Sequence, residues 1–179
     1  MQTVERPLVE IDDLHVVFDS DKRKIPAIQG VSLNIQRGRV LGIVGESGSG
    51  KSVTAYSILR ILDNPGKITK GEILFEDTDI VKLPQHQMRQ IRGAKISIIF
   101  QDPMTSLNPV YTVGNQLTEA IRLHTNRNRQ QAQERALEML ELVGVNEPHK
   151  RLKQYPYQLS GGMRQRVMIA MALACEPDI

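Results

Sequence analysis

A chain of 179 residues has room for one domain, or for a domain carrying a small inserted lobe. At 40% hydrophobic and 24% charged it reads as globular and soluble, which excludes a disordered chain. Lys and Arg number 23 against 20 Asp and Glu, and the resulting +3 suits a phosphate ligand or a membrane surface without singling out nucleic acid.

The single cysteine, Cys175, sits in an apolar run and permits no internal disulfide, which fits a reducing cytoplasm and a buried small hydrophobe. The longest apolar run, Val167 to Cys175, is too short to span a bilayer. Met1 to Glu10 lacks the apolar core of a secretory signal. The chain is therefore expected to be neither exported nor threaded through a membrane.

Leu8 to Phe18 starts with alternation and predicts an edge strand. Asp19 to Lys24 is polar and predicts a loop. Val31, Leu33 and Ile35 alternate with polar residues on a second strand, and Arg37-Gly38 turns the chain. These strands predict a small, mostly antiparallel sheet. Arg39 to Val44 is a short apolar run that reads as a buried strand.

Gly45-Glu46-Ser47-Gly48-Ser49-Gly50-Lys51-Ser52 then fits the G-x-x-x-x-G-K-[ST] pattern of a phosphate-binding P-loop, and Ser52 to Leu62 predicts a helix. Glycines let the backbone curl so that successive N–H groups point at an anion. The helix start, through Val53, adds the positive end of its dipole. Lys51 is suited to the β- and γ-phosphates, and the Ser52 hydroxyl to Mg²⁺.

Asp63-Asn64-Pro65-Gly66 is a breaker cluster. Gly71 to Glu76 predicts a strand and Asp77-Thr78-Asp79 a turn. Pro84 suits the first position of a short helix ending near Gly93. Lys95 to Phe100 is β-branched and apolar, and it predicts a buried strand that ends at Gln101.

Beyond Gln101, Pro103 and Pro109 frame a loop. Thr112 can cap a helix with Val113, Leu117, Ala120, Ile121 and His124 at helical spacing. Arg127 to Gln131 is polar. A second helix places Ala132, Ala136, Leu137, Leu140 and Val143 on one face, with Gly144 as its stop. Two helices with no strand between them predict a helical lobe inserted into an α/β domain.

Leu159-Ser160-Gly161-Gly162-Met163-Arg164-Gln165-Arg166 follows Tyr155-Pro156 and leads into an apolar helix from Val167. A Ser-Gly-Gly at a helix start is a second candidate anion site by the same dipole argument. With the P-loop and a strand-terminal Gln upstream, the chain resembles the ATP-binding-cassette (ABC) transporter ATPases. Gly45 to Ser52 matches the Walker A loop, Gln101 the Q-loop, and Leu159 to Gln165 the family signature. Ile99 to Pro109, and Gln154-Tyr155-Pro156 before the signature, resemble the ATPase subunits of bacterial dipeptide, oligopeptide and nickel importers.

The resemblance implies an α/β P-loop NTPase core with an antiparallel β subdomain and an inserted helical subdomain. Residues 1–101 would form the nucleotide-binding core and β subdomain, 102–158 the helical subdomain, and 159–179 the signature helix returning to the core. Two such subunits, as a homodimer or a heterodimer, would sandwich two ATP molecules. Ser160, Gly161 and Gly162 would hydrogen-bond the γ-phosphate of an ATP held by the partner. Gln101 would help Ser52 coordinate Mg²⁺. Phe18 matches the place where the family stacks an aromatic ring on adenine, although the family usually has Tyr or Trp there. Asp77 stands where relatives often have Gly in a turn, a position Asp tolerates.

The implied partners are two transmembrane permease subunits and, indirectly, a solute-binding protein, with no nucleic acid. The implied location is the cytoplasmic face of the bacterial inner membrane, held peripherally. The family's Walker B Asp-Glu, D-loop and switch histidine have no match among these residues. His15, His86, His124 and His149 lie in segments unlike that switch. The chain is thus expected to be a truncated ATPase that binds ATP–Mg²⁺ without useful hydrolysis, holds no catalytic residue of its own, and has a core sheet left incomplete at the C-terminus. The other expectations are a soluble cassette ATPase acting on DNA and a non-catalytic ATP-binding fragment. The first is opposed by the absence of sustained heptads between Walker A and signature.

Overall fold

The computed structural model describes residues 6–20, 23–102 and 106–179. The chain divides into two compact units, one ending at Met88 and the other running from Arg89 to Ile179.

The first unit is built on β1 (Val9–Ser20), β2 (Arg23–Ile35), β3 (Gly66–Phe75) and β4 (Thr78–Asp79). They form one antiparallel sheet in the order β2-β1-β3-β4. The expected edge strand β1 is therefore an inner strand. Val9, Ile11, Leu14 and Val16 are buried on one face while the other face stays open, so an inner strand here alternates just as an edge strand would.

Of the expected loop at Asp19 to Lys24, Asp21 and Lys22 lie outside the described residues, and the other four are in strands. Pairing continues through Asp19↔Lys24 and Ser20↔Arg23, because backbone pairing tolerates polar side chains on an exposed face. β3 starts at Gly66 instead of Gly71, since β1 offers partners as far as Phe18↔Gly66. Gly71 is instead the site of a bulge. Its φ is +91°, and a Cβ there would lie 2.4 Å from the Asp13 carbonyl oxygen. Glu76 and Asp77 both have positive φ, 47° and 66°, which suits the tight β3–β4 hairpin.

α1 (Lys51–Leu59) follows the glycine loop and stops three residues before the expected end. Arg60 takes a left-handed conformation at its C-cap, and its guanidinium donates to the carbonyls of Ile80, at 3.1 Å, and Leu83. α2 (Gln85–Ile91) begins one residue after Pro84, whose carbonyl accepts from the N–H groups of Gln87 and Met88.

Two expected buried strands are absent from the ladders. Residues 39–44 have no regular structure, with Val40 100% and Val44 93% exposed. In the run 95–100 Ile96 is buried and bridges Arg92, but Ile99 and Phe100 are 48% and 39% exposed. Backbone hydrogen bonds link Lys95 and Ser97 to Asp178 and Ile179 without forming a ladder. An apolar run becomes a strand only where a neighbouring strand supplies a continuous row of hydrogen-bond partners, and among the described residues no strand runs along either segment.

The second unit is helical: α3 (Val113–His124), α4 (Arg129–Leu142), α5 (Pro148–Leu152), a 3₁₀ turn (Pro156–Gln158) and α6 (Gly161–Leu173). Thr112 caps α3, its side chain accepting from the Asn115 N–H at 3.2 Å. Val113, Leu117 and Ile121 enter the core beside Ala136, Leu140 and Val167. Each large side chain so buried contributes about 1.5–3 kcal/mol. α4 starts within the segment read as a polar connection. Asn128 and Gln131 form a reciprocal capping box, with bonds of 3.0 and 2.9 Å. Gly144 follows α4 with φ +72°, as expected of a helix stop.

Candidate functional site

The glycine loop is shaped for backbone exposure. Gly48 and Gly50 have φ of +83° and +91°. A Cβ on Gly50 would lie 3.0 Å from the Ala27 carbonyl oxygen, and one on Gly45 would lie 2.8 Å from Ser49 Oγ. Gly50 is the N-cap of α1 and supplies no side chain to its orphan N–H groups, and no acidic residue sits in the first turn. The N–H groups of Lys51, Ser52 and Val53 thus form a helix start without a capping side chain, where an anion is stabilised.

The Lys51 ammonium lies across this loop. It donates to the carbonyls of Gly45 at 2.8 Å and Glu46 at 2.6 Å, and approaches Ser49 Oγ at 3.3 Å. Ser47-Gly48 turns the loop, and the Ser49 N–H donates to the Glu46 carbonyl at 3.2 Å. Ser52 is exposed. On this geometry the donor set suits a polyphosphate and its counter-cation: bare N–H groups, one ammonium and one free-standing hydroxyl.

The second cradle is the start of α6. Ser160 is its N-cap and accepts from the Met163 N–H at 3.3 Å. Gly161 and Gly162 are exposed, and a Cβ on either would meet nothing within 4 Å. Glycine there relieves no crowding; it leaves the first turn bare. Arg164 Nε donates to the carbonyls of Pro156 at 2.8 Å and Leu159 at 3.1 Å. Arg166 donates to the carbonyls of Val143 and Gly144 at the end of α4.

The remaining expected residues are more dispersed. Gln101 is exposed at a bend, and Pro103, Met104 and Thr105 lie outside the described residues. Phe18 is half-buried on β1, with its ring across Gly66, where a Cβ would stand 2.9 Å from Cε1. Cys175 is half-buried and donates to the Ala120 carbonyl at 3.7 Å, and burial pushes its thiol pKa up. Among the described residues no three His, Cys, Asp or Glu side chains are grouped to hold a metal. Arg60 and Arg166 bond backbone carbonyls, a contact that residue type alone does not announce, and Arg164 was legible only as a member of the Leu159–Gln165 signature.

The sequence model of the ABC transporter family matches residues 28–179. The dipeptide transport ATP-binding protein DppD of Bacillus subtilis is 51% identical over 173 residues, covering 96% of this chain and 52% of that protein. The oligopeptide transport ATP-binding protein OppD of Bacillus subtilis is 49% identical, with 96% and 48% covered. The glutathione import ATP-binding protein GsiA of Escherichia coli O157:H7 is 47% identical, with 96% and 29% covered. The chain thus spans about half the length, or less, of these curated relatives. Among solved structures, the ATP-binding cassette MJ0796 in a dimeric post-hydrolysis state bound to ADP and Pi superposes with a TM-score of 0.83 at 30% identity, covering 94% of this chain and 70% of that one. On the family match, these identities and the α/β cassette fold, the chain belongs to the ABC transporter family of ATPases.

Proposed function

We propose that this chain is the ATP-binding part of a subunit that energises a bacterial ABC importer for peptides. The observation that carries this reading is the presence, in one chain, of the Gly45–Ser52 cradle and of a Ser160-capped helix start with exposed Gly161 and Gly162. The loop N–H groups and Lys51 hold the phosphates of ATP. Ser52 would offer its hydroxyl to Mg²⁺, which when bound neutralises charge on the β- and γ-phosphates, and the family resemblance assigns Gln101 a role toward the same ion. Ser160, Gly161 and Gly162 position the γ-phosphate of a nucleotide held by a second such subunit. Phe18 offers its ring to the adenine.

The peptide class is supported by the names of the relatives, which include dipeptide, oligopeptide and glutathione systems. Nickel is the other substrate class that the motif resemblance suggests. No helix among the described residues is long and apolar enough to cross a membrane. The family resemblance supports a subunit that works peripherally, on the cytoplasmic face, through permease subunits. A cleft of about 620 Å³ in the helical lobe is lined by Thr118, Arg129, Gln133, His149, Leu152 and Lys153, and it is suited to a permease segment.

The exposed Val40, Val44, Ile99 and Phe100 support the reading that a longer polypeptide completes the core sheet and carries the hydrolytic Asp-Glu pair. On this reading residues 1–179 bind ATP and turn it over negligibly. Titration of the chain with fluorescent ATP tests the first half, and phosphate release by the chain and by the longer protein tests the second. Absence of ATP binding in the longer protein, or equal turnover by both, overturns it.

A further inference from the structure

α6 has no acidic residue in its first turn, yet Arg164 and Arg166 lie near its start. Cations there oppose the positive end of the helix dipole, so helix stability alone does not account for them. Arg166 is explained by its bonds to Val143 and Gly144 at the end of α4. Arg164 reaches the other way. Its side chain folds back toward the helix N-terminus, as long helical side chains do, and Nε bonds the carbonyls of both Pro156 and Leu159.

Those two carbonyls bracket the 3₁₀ turn that delivers Ser160. Leu159 is buried, whereas Ser160, Gly161 and Gly162 are exposed. Two consecutive glycines with open space around them have wide backbone freedom. The Ser160 cap restrains the turn from within the helix, and the two Arg164 bonds restrain it from the chain that enters it.

We propose that Arg164 is a positioning residue for the signature turn, holding the carbonyls of Pro156 and Leu159 so that Ser160, Gly161 and Gly162 keep one geometry toward the phosphate they meet. This rests on the reading that the turn serves a nucleotide held by a second subunit. Since that nucleotide sits in the partner's P-loop, Arg164 acts on turnover and leaves ATP affinity of its own loop alone.

The test uses the full-length protein assembled with its partner subunits. Arg164→Gln, Arg164→Lys and Arg166→Gln are compared for ATP Kd, kcat and Tm. Arg164→Gln is expected to lower kcat on the order of tenfold or more, with ATP Kd within about twofold. Arg164→Lys, which keeps a charged donor, is expected to recover most of kcat. Arg166→Gln is expected to lower Tm without separating kcat from Kd. The proposal is overturned if Arg164→Gln keeps kcat within about twofold, or if kcat, Kd and Tm fall together in both Arg164 variants. If Arg164→Gln fails to fold, Arg164→Lys decides: an unchanged Tm with lowered kcat supports the positioning role, and wild-type kcat with lowered Tm overturns it. Failure of the underlying reading shows separately, as wild-type turnover in Gly161→Asp.

Discussion

Arg166 donates to the carbonyl of Gly144 at 3.0 Å, and a Cβ on Gly144 would lie 2.5 Å from the same guanidinium nitrogen. The helix stop and the arginine that caps it are therefore fitted to each other. Gly144→Ala would combine left-handed strain at φ +72° with displacement of that cap. We expect it to cost about 1–3 kcal/mol. Urea unfolding of the full-length protein measures this, and a midpoint equal to wild type contradicts it.

The P-loop predicts a split between two substitutions. Lys51→Ala removes the ammonium that spans the Gly45 and Glu46 carbonyls, and should weaken ATP binding by about tenfold or more with little change in Tm. Gly50→Ala places a Cβ 3.0 Å from the Ala27 carbonyl oxygen at φ +91°, so it should lower both ATP binding and Tm. Calorimetric titration with thermal melts separates the two.

The β1 bulge predicts an acid-sensitive contact. Lys70 Nζ stands 2.5 Å from Asp13 Oδ2, and His15 Nε2 stands 2.9 Å from Oδ1. The Lys70 bond, then the His15 bond, hold the Asp13 carboxyl below its ordinary value of 3.8. A depressed folded pKa contributes stability that is complete above the unfolded value and is lost as pH falls through the folded one. Asp13→Asn should therefore be less stable than wild type near neutrality, and the difference should shrink below about pH 4. Urea midpoints from pH 3 to 7 follow it, and a constant difference across that range refutes the assignment.

The helical-lobe cleft predicts a charge-dependent partner contact. Arg129, His149 and Lys153 line it with Glu134 as the one acid. Arg129→Glu with Lys153→Glu should reduce recovery of permease with the full-length protein severalfold while ATP Kd stays unchanged. Equal recovery at low and high salt in wild type and variant would remove the cleft from the interface.

What could be read along the chain was whatever rests on neighbours within about four residues. The Thr112 cap, the Gly144 stop, the helix start at Ser160-Gly161-Gly162 and the left-handed Asp77 are all of this kind, because helix and turn bonds close locally. Asn128 and Gln131 belonged to the same class, and their capping box was legible in a stretch read as merely polar. The glycine loop was legible too, since its chemistry is backbone N–H groups at a helix start.

Other features needed the folded chain. Alternation could not say whether β1 lay inside or at an edge, because a sheet with one open face gives both the same pattern. Apolarity at 39–44 and 95–100 announced strands, but burial requires a neighbour at hydrogen-bonding distance. The reach of Arg164 to Pro156 and Leu159, and of Arg166 to Gly144, depended on where carbonyls end up in space, which residue type does not encode. The sequence by itself determined what this protein's cradles are made of, through local bonds. Tertiary structure alone decided which carbonyls Arg164 and Arg166 reach, because those bonds cross turns and link helices.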